Sequence, residues 1–268
     1  FKLLNRWTHP SFGKVLPAPG QSLTLGPAGM AFDAKGNLVV AAYASFCVFS
    51  KPNVVLGCHP KVKKQATENV IFDHLGNIYS TTSTGGTNEV HKYSAGYKHL
   101  TTFSIKTGEL TGVTCDPTGN LYIASQATGK GPIYKVDRKT FKVLDTIDAV
   151  LSGVGSLARL QYLKSGGLLV ATFGGSKGVL HINAVSPFKL LTTIRPAGLY
   201  GAVPVTIDNA ANIYTADYEN GSGTAPADLW SFTPAGKVIA SRKASPVYGP
   251  FGMVVAGTVL PCGAYRVK

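Results

Sequence analysis

Six histidines, four cysteines and one serine set among glycines carry the most reactive side chains of this sequence, and their spacing decides what they can do. His9, His59, His74, His91, His99 and His181 form neither an HxH nor an HExxH pair, so they read as isolated hydrogen-bonding groups rather than zinc ligands. Cys47, Cys58, Cys115 and Cys262 include no CxxC pair and no zinc-finger spacing. Cys47 and Cys58 flank the turn signal Lys51-Pro52-Asn53 and can face each other across adjacent strands as a disulfide if the compartment is oxidising. Cys115 takes a slot filled elsewhere by Phe32, Phe72 and Ile207, which predicts a buried free thiol. The run Gly174-Gly175-Ser176-Lys177-Gly178 has the letters of a serine nucleophile elbow, but that motif requires a helix after the serine. Val179 to Asn183 reads as a strand instead, so the run is a glycine-rich hairpin loop. Asn220-Gly221-Ser222 spells a glycosylation acceptor, relevant where secreted proteins are glycosylated. No catalytic residue, metal ligand or cofactor is assigned on these grounds, and whether the chain is an enzyme stays open.

The elements that position these residues come from an internal repeat. The segment Gly26-Pro-Ala-Gly-Met-Ala-Phe-Asp33-Ala-Lys-Gly36-Asn37 recurs as Glu68-Asn-Val-Ile-Phe-Asp73-His-Leu-Gly76-Asn77 and as Thr111-Gly-Val-Thr-Cys-Asp116-Pro-Thr-Gly119-Asn120. A fourth copy has lost the Asp at Leu163, a fifth has lost the Gly at Ala211, and a sixth survives only as Gly249 to Ala256. The Asp slots at 33, 73, 116, 163, 208 and 256 are 40 to 48 residues apart, room for four short strands and their turns. Within a unit, the Asp-x-x-Gly-Asn turn joins two apolar runs, with Asp accepting from turn amides and Gly supplying a positive φ. Third strands follow at Glu89 to Tyr93, Pro132 to Val136 and Asp228 to Phe232, and fourth strands at Tyr97 to Phe103 and Lys237 to Ser241. Helical periodicity is absent. The sixth unit runs out of chain after its innermost strand, so the segment around Lys2 to Trp7 and Lys14 to Leu16 is expected to supply its outer strands and close the ring.

This pattern resembles the NHL repeat, with its Pro-x-Gly-apolar strand, Asp-x-x-Gly-Asn turn and Ile-Tyr-Val strand, and resembles the wider superfamily of gluconolactonase-like propellers. The resemblance implies an all-β, six-bladed β-propeller with four-stranded antiparallel blades, one domain over residues 1–268. It does not imply one activity, because such propellers act as lactonases, lyases, RNA binders and protein-binding sensors. The metal-dependent members hold a divalent ion on side chains at the start of the innermost strands. The corresponding residues here, five before each Asp slot, are Ala28, Glu68, Thr111, Ala158, Val203 and Phe251. Glu68 alone could ligate, far short of the ~6 oxygens a calcium ion takes, so no metal is expected.

Composition fits this class. The chain has 31 Gly, 16 Pro and 12 Tyr with 15% charged residues, suited to many short strands and tight turns. No apolar stretch is long enough to span a bilayer. A first residue Phe1 rather than Met points to a trimmed, secreted or periplasmic product, expected to be a monomer. The net charge of +13 suits a polyanionic partner such as RNA or an acidic glycan, but the basic residues are scattered rather than held in one block.

In a propeller, loops entering the innermost strands and loops leaving the second strands open on the same side. The first set holds Glu68, Asn69, Arg159 and Phe251, and the second holds Tyr43, Gln126, Phe173 and Tyr218, each ten residues after its Asp slot. Aromatic planes there could stack on sugars or bases while Arg159 and Glu68 fix orientation, with Lys61, Lys63, Lys64, Lys130 and Lys177 nearby. Further cations, Lys35, Lys51, Lys98, Lys139, Lys142, Lys164 and Lys237, fall on the opposite face. The first reading is a non-catalytic propeller that binds a small molecule, glycan or protein at the channel mouth. The second is a divergent lactonase or lyase with Glu68 as base and Arg159 as oxyanion partner.

Overall fold

The computed structural model describes residues 28–42, 45–51, 54–59, 67–82, 88–126, 131–173, 178–217, 228–243 and 253–254. Five four-stranded antiparallel sheets account for nearly all of them, each formed by consecutive strands in chain order. The first blade is β1 (Met30–Phe32), β2 (Leu38–Ala42), β3 (Ser45–Lys51) and β4 (Val54–His59). The second is β5 (Thr67–Phe72), β6 (Ile78–Thr82), β7 (Glu89–Tyr93) and β8 (His99–Ser104). The third is β9 (Glu109–Cys115), β10 (Leu121–Gln126), β11 (Ile133–Val136) and β12 (Val143–Ile147). The fourth is β13 (Ser156–Tyr162), β14 (Gly167–Phe173), β15 (Val179–Asn183) and β16 (Leu190–Ile194). The fifth is β17 (Ala202–Ile207), β18 (Ile213–Asp217), β19 (Asp228–Phe232) and β20 (Val238–Lys243). One short 3-10 turn, Ala149–Leu151, is the only helical element among the described residues.

The core lies in the seams between successive sheets. Val39, Phe46 and Val48 of the first blade meet Val70, Ile78 and Tyr93 of the second, and Tyr79 and Val90 of the second meet Val113 and Ile123 of the third. Inner strands are therefore covered on both faces, and their burial does not alternate: every residue of β6 and of β17 is buried. Outer strands open progressively to solvent, as in β16, where four of the five residues are exposed.

The sequence led us to expect six blades, whereas the described residues form five. The sixth unit, Gly249 to Ala256, and the N-terminal segment expected to complete it lie outside the described residues, apart from Met253 and Val254. Val254 packs on the face of the first blade formed by Leu38, Val40, Cys47 and Phe49. The Cys47–Cys58 disulfide joins facing residues of β3 and β4, as expected. Cys115, by contrast, is disulfide-bonded rather than free, with its partner outside the described residues. Its small-hydrophobe slot hid a covalent role.

The Asp turns form as the repeat predicts. Asp73 accepts from the amides of Leu75 and Asn77 and from the Asn77 side chain, all at 2.9 Å, and Gly76 adopts φ 76°. Asp33, Asp116 and Asp208 bind their own turns in the same way. In the fifth unit Ala211 stands where Gly is usual and holds φ 62°. These turns also latch neighbouring blades, because the turn between strands three and four of one blade reaches back to the Asp of the preceding one. The Tyr97 hydroxyl donates to Asp33 at 3.2 Å, and Arg138 donates to Asp73 at 3.2 Å, with Asp73 only 1% exposed. Replacing Asp73 by Ala removes three turn acceptor bonds and leaves the largely buried Arg138 without that carboxylate. Urea unfolding of Asp73→Ala should show a loss of about 3 kcal/mol, and of the more exposed Asp33→Ala about 1–2 kcal/mol.

Candidate functional site

The innermost strands share an irregularity that decides which side chains reach the channel. Between the pairs Thr67↔Thr82 and Asn69↔Thr81, Glu68 is an extra residue, and between Leu110↔Ser125 and Gly112↔Ala124 the extra residue is Thr111. In β13 the interval Leu157 to Leu160 opposes Thr172 to Val170, and in β17 the interval Ala202 to Val205 opposes Asp217 to Thr215, so each again carries one residue too many. These are β-bulges, which bend the strand and re-aim a side chain. Pro204 sits in the last of them, where a missing N–H does no harm.

At the bulges the innermost strands come into closest approach. A Cβ on Gly29 would fall 2.1 Å from the Asn69 side-chain oxygen, and one on Gly112 would fall 2.8 Å from the Ala158 carbonyl, so neither position has room for a side chain. The strands are tied there: the Gly29 amide donates to the Glu68 carbonyl at 2.7 Å, and the Thr111 hydroxyl to the Leu157 carbonyl at 2.9 Å. Asn69 is buried, and its side-chain amide reaches the Val113 carbonyl at 3.4 Å.

Arg159 reaches across three blades. From the fourth blade it donates to the Thr111 carbonyl of the third blade and to Glu68 of the second, at 3.2 Å. The pair is 6% and 15% exposed for Arg159 and Glu68 respectively. Burial pulls the Arg159 guanidinium below its ordinary pKa, and the Glu68 carboxylate opposes that shift. Glu109, first residue of β9, carries a carboxyl held above the usual range by partial desolvation and by the Glu68 charge, although its side chain is still exposed. Gln126 stands opposite Glu109 in the β9–β10 register. The structure thus gathers Glu68, Asn69 and Arg159 in one place and puts Gln126 at the same edge. Phe173 ends β14 opposite Ser156 at the equivalent edge of the fourth blade. Tyr43, Tyr218 and Phe251 lie outside the described residues, as do Lys61, Lys63, Lys64, Lys130 and Lys177.

Two residues of this edge escaped the sequence reading. Glu109 sits seven residues before its Asp slot, two positions outside the window searched for ligands. Asp217, buried at the end of β18, accepts from the amides of Tyr200 and Gly201 at 3.0 Å each and so fixes the loop that enters β17. It stands directly before Tyr218, so a search for acidic residues beside the second-strand aromatics would have found it. Among the described residues no three His, Cys, Asp or Glu side chains are grouped to hold a metal ion.

Sheet topology and inter-blade packing define the chain as a β-propeller, and the solved structures it resembles agree. It matches a protein of unknown function from Bacteroides caccae at 13% identity, covering 82% of each chain with a TM-score of 0.66. It matches a virginiamycin B lyase from Staphylococcus aureus at 13% identity, covering 82% of this chain and 70% of that one, TM-score 0.61. A nidogen/laminin complex contributes a match at 18% identity over 85% and 84%, TM-score 0.66. No family model matches the chain, and no curated protein matches its sequence.

Two measurements check this arrangement. Glu68→Gln removes the charge that compensates a buried guanidinium and should cost about 3 kcal/mol, whereas the double variant with Arg159→Met should recover a large part of it. Denaturant midpoints of the four proteins of this cycle report the coupling. Glu109 has a raised folded-state pKa, so its favourable contribution is complete below its ordinary value and is lost as pH rises through the raised one. Stability of the parent protein should therefore fall over that interval, and Glu109→Gln should flatten the fall in a series of thermal melts.

Proposed function

We propose that this chain is a ligand-binding propeller, non-catalytic, with one six-bladed domain over residues 1–268 and its binding site at the channel mouth. The observation that carries the reading is the Arg159–Glu68 pair, held at 3.2 Å across three blades. Each charge is occupied by the other, so Glu68 is a poor free base and Arg159 a poor oxyanion donor. What the mouth offers a ligand from its described residues is Glu109 and Gln126, a carboxyl and a carboxamide on facing positions. That donor and acceptor set suits the hydroxyls of a neutral glycan or another uncharged polar small molecule. Val254 packed on the first blade supports ring closure by a sixth unit, and the Cys47–Cys58 disulfide supports an extracytoplasmic location.

Calorimetric titration with a panel of neutral oligosaccharides tests the site. A ligand that binds should weaken at least about tenfold with Glu109→Gln or Gln126→Ala, since each removes a hydrogen-bonding partner. A ligand indifferent to both substitutions would place binding elsewhere. Free thiols at Cys47 and Cys58 in protein taken from its native source would remove the extracytoplasmic reading.

One observation favours a second reading. The raised carboxyl pKa of Glu109 suits proton transfer, and the structural neighbours include a streptogramin B lyase and a luciferin-regenerating enzyme. A divergent lyase or lactonase would then use Glu109 in place of Glu68. Stoichiometric metal in the purified protein, or turnover of a cyclic ester abolished by Glu109→Gln, would establish it over the binding reading.

A further inference from the structure

The face opposite the channel mouth carries a repeated chemical unit that ligand binding at the mouth does not use. The Asp turns and the turns between third and fourth strands both open on this face, as the contact of Tyr97 with Asp33 shows. At the start of the fourth strands the same short sequence returns, in Lys98-His99-Leu100, Lys142-Val143-Leu144, Lys189-Leu190-Leu191 and Lys237-Val238-Ile239, while the first blade has Lys51 and Val54. These lysines are all exposed, and none is ion-paired among the described residues. Their aliphatic neighbours are exposed as well, Leu144 at 54% and Leu191 at 56%. The two most exposed large apolar side chains among the described residues, Leu75 at 66% and Val185 at 61%, belong to turns of this face too.

Lysine at an edge strand is a familiar guard against strand-to-strand aggregation. That role accounts for the cations but not for the aliphatic side chains placed beside each of them. The carboxylates of this face, Asp33, Asp73, Asp116, Asp137 and Asp208, are each folded onto amides of their own turns. Beside the small polar residues of the turns and the imidazoles of His74 and His99, the exposed side chains that remain here among the described residues are lysines and aliphatic residues, with no exposed Phe, Tyr or Trp on which bases would stack. The unit also repeats around the ring, so every described blade presents it at the same rim. A partner with one binding spot would use one blade, whereas a flat and laterally uniform partner meets all of them at once.

We propose that this face docks the propeller onto an anionic lipid surface, with the lysines on phosphate headgroups and the aliphatic residues entering the boundary between headgroups and acyl chains. Leu75 and Val185 enter from the turns, and the rim units surround them. The channel mouth then points away from the membrane, free to take its ligand, and the two activities fail independently.

Cosedimentation with vesicles of phosphatidylcholine alone and of phosphatidylcholine mixed with phosphatidylglycerol tests this. The full chain should sediment with the mixed vesicles and stay in solution with the neutral ones, and added salt should release most of it. Joint substitution Lys142→Glu, Lys189→Glu and Lys237→Glu should weaken partitioning on the order of a hundredfold. Joint substitution Leu144→Ser, Leu191→Ser and Ile239→Ser should weaken it roughly tenfold and remove the part that resists salt. All six sites are exposed, and circular dichroism melts confirm that the variants fold. Equal sedimentation with both vesicle types overturns the proposal, as does a parent protein that ignores both. Tighter capture by polyuridylate than by anionic vesicles, unchanged by the serine substitutions, overturns it in favour of a nucleic-acid surface.

Discussion

The structure depends on a ring of close approach, where the bulged innermost strands meet around the channel. Backbone nearly touches backbone at Gly29 and Gly112, and Asn69, Thr111 and one long side chain, Arg159, are buried on these same strands. Bulges at equivalent places in successive blades make this possible, since a regular ladder would keep strict alternation and send these side chains into the seams instead. Arg159 then crosses from the fourth blade to the second, binding the third on its way. It is a spoke as much as a charge.

Putting a guanidinium and a carboxylate in this ring is a poor way to gain stability, because desolvation offsets most of their attraction. It is a good way to fix geometry. The pair joins blades that are not neighbours, whereas nearly all other contacts run between adjacent sheets.

Much of this was legible in the residues. The Asp-x-x-Gly-Asn turns form where the repeat places them, β7 and β19 match the expected third strands, and Val179 to Asn183 is a strand as the rejection of the serine elbow required. The disulfide between Cys47 and Cys58 followed from a turn signal lying between them. What could not be read was parity. A bulge adds one residue without leaving a mark in composition, so the sequence could not say whether Ala158 or Arg159 faces the channel. Glu109 was missed for a related reason, since its role comes from proximity to Glu68 across a blade boundary. Cys115 looked like packing because its slot is apolar in other repeats, and a buried disulfide is apolar too. Of the eight candidate residues, Glu68, Asn69, Gln126 and Arg159 are described in full: Arg159 pairs with Glu68, Asn69 reaches the Val113 carbonyl, and Gln126 stands opposite Glu109.

The loss of Asp at Leu163 reaches beyond its own turn. Where the first two blades receive a tyrosine hydroxyl and an arginine at this slot from the blade that follows, the fourth offers a buried leucine in one cluster with Ile194, Leu199, Ile207 and Phe232. The boundary between the fourth and fifth blades is therefore held by an oily contact rather than a polar clasp at that point. Hydrophobic attraction fades on cooling while hydrogen bonds and ion pairs do not share that dependence. The grip of this joint at that point thus weakens as the temperature falls, a dependence that the clasps at Asp33 and Asp73 do not follow.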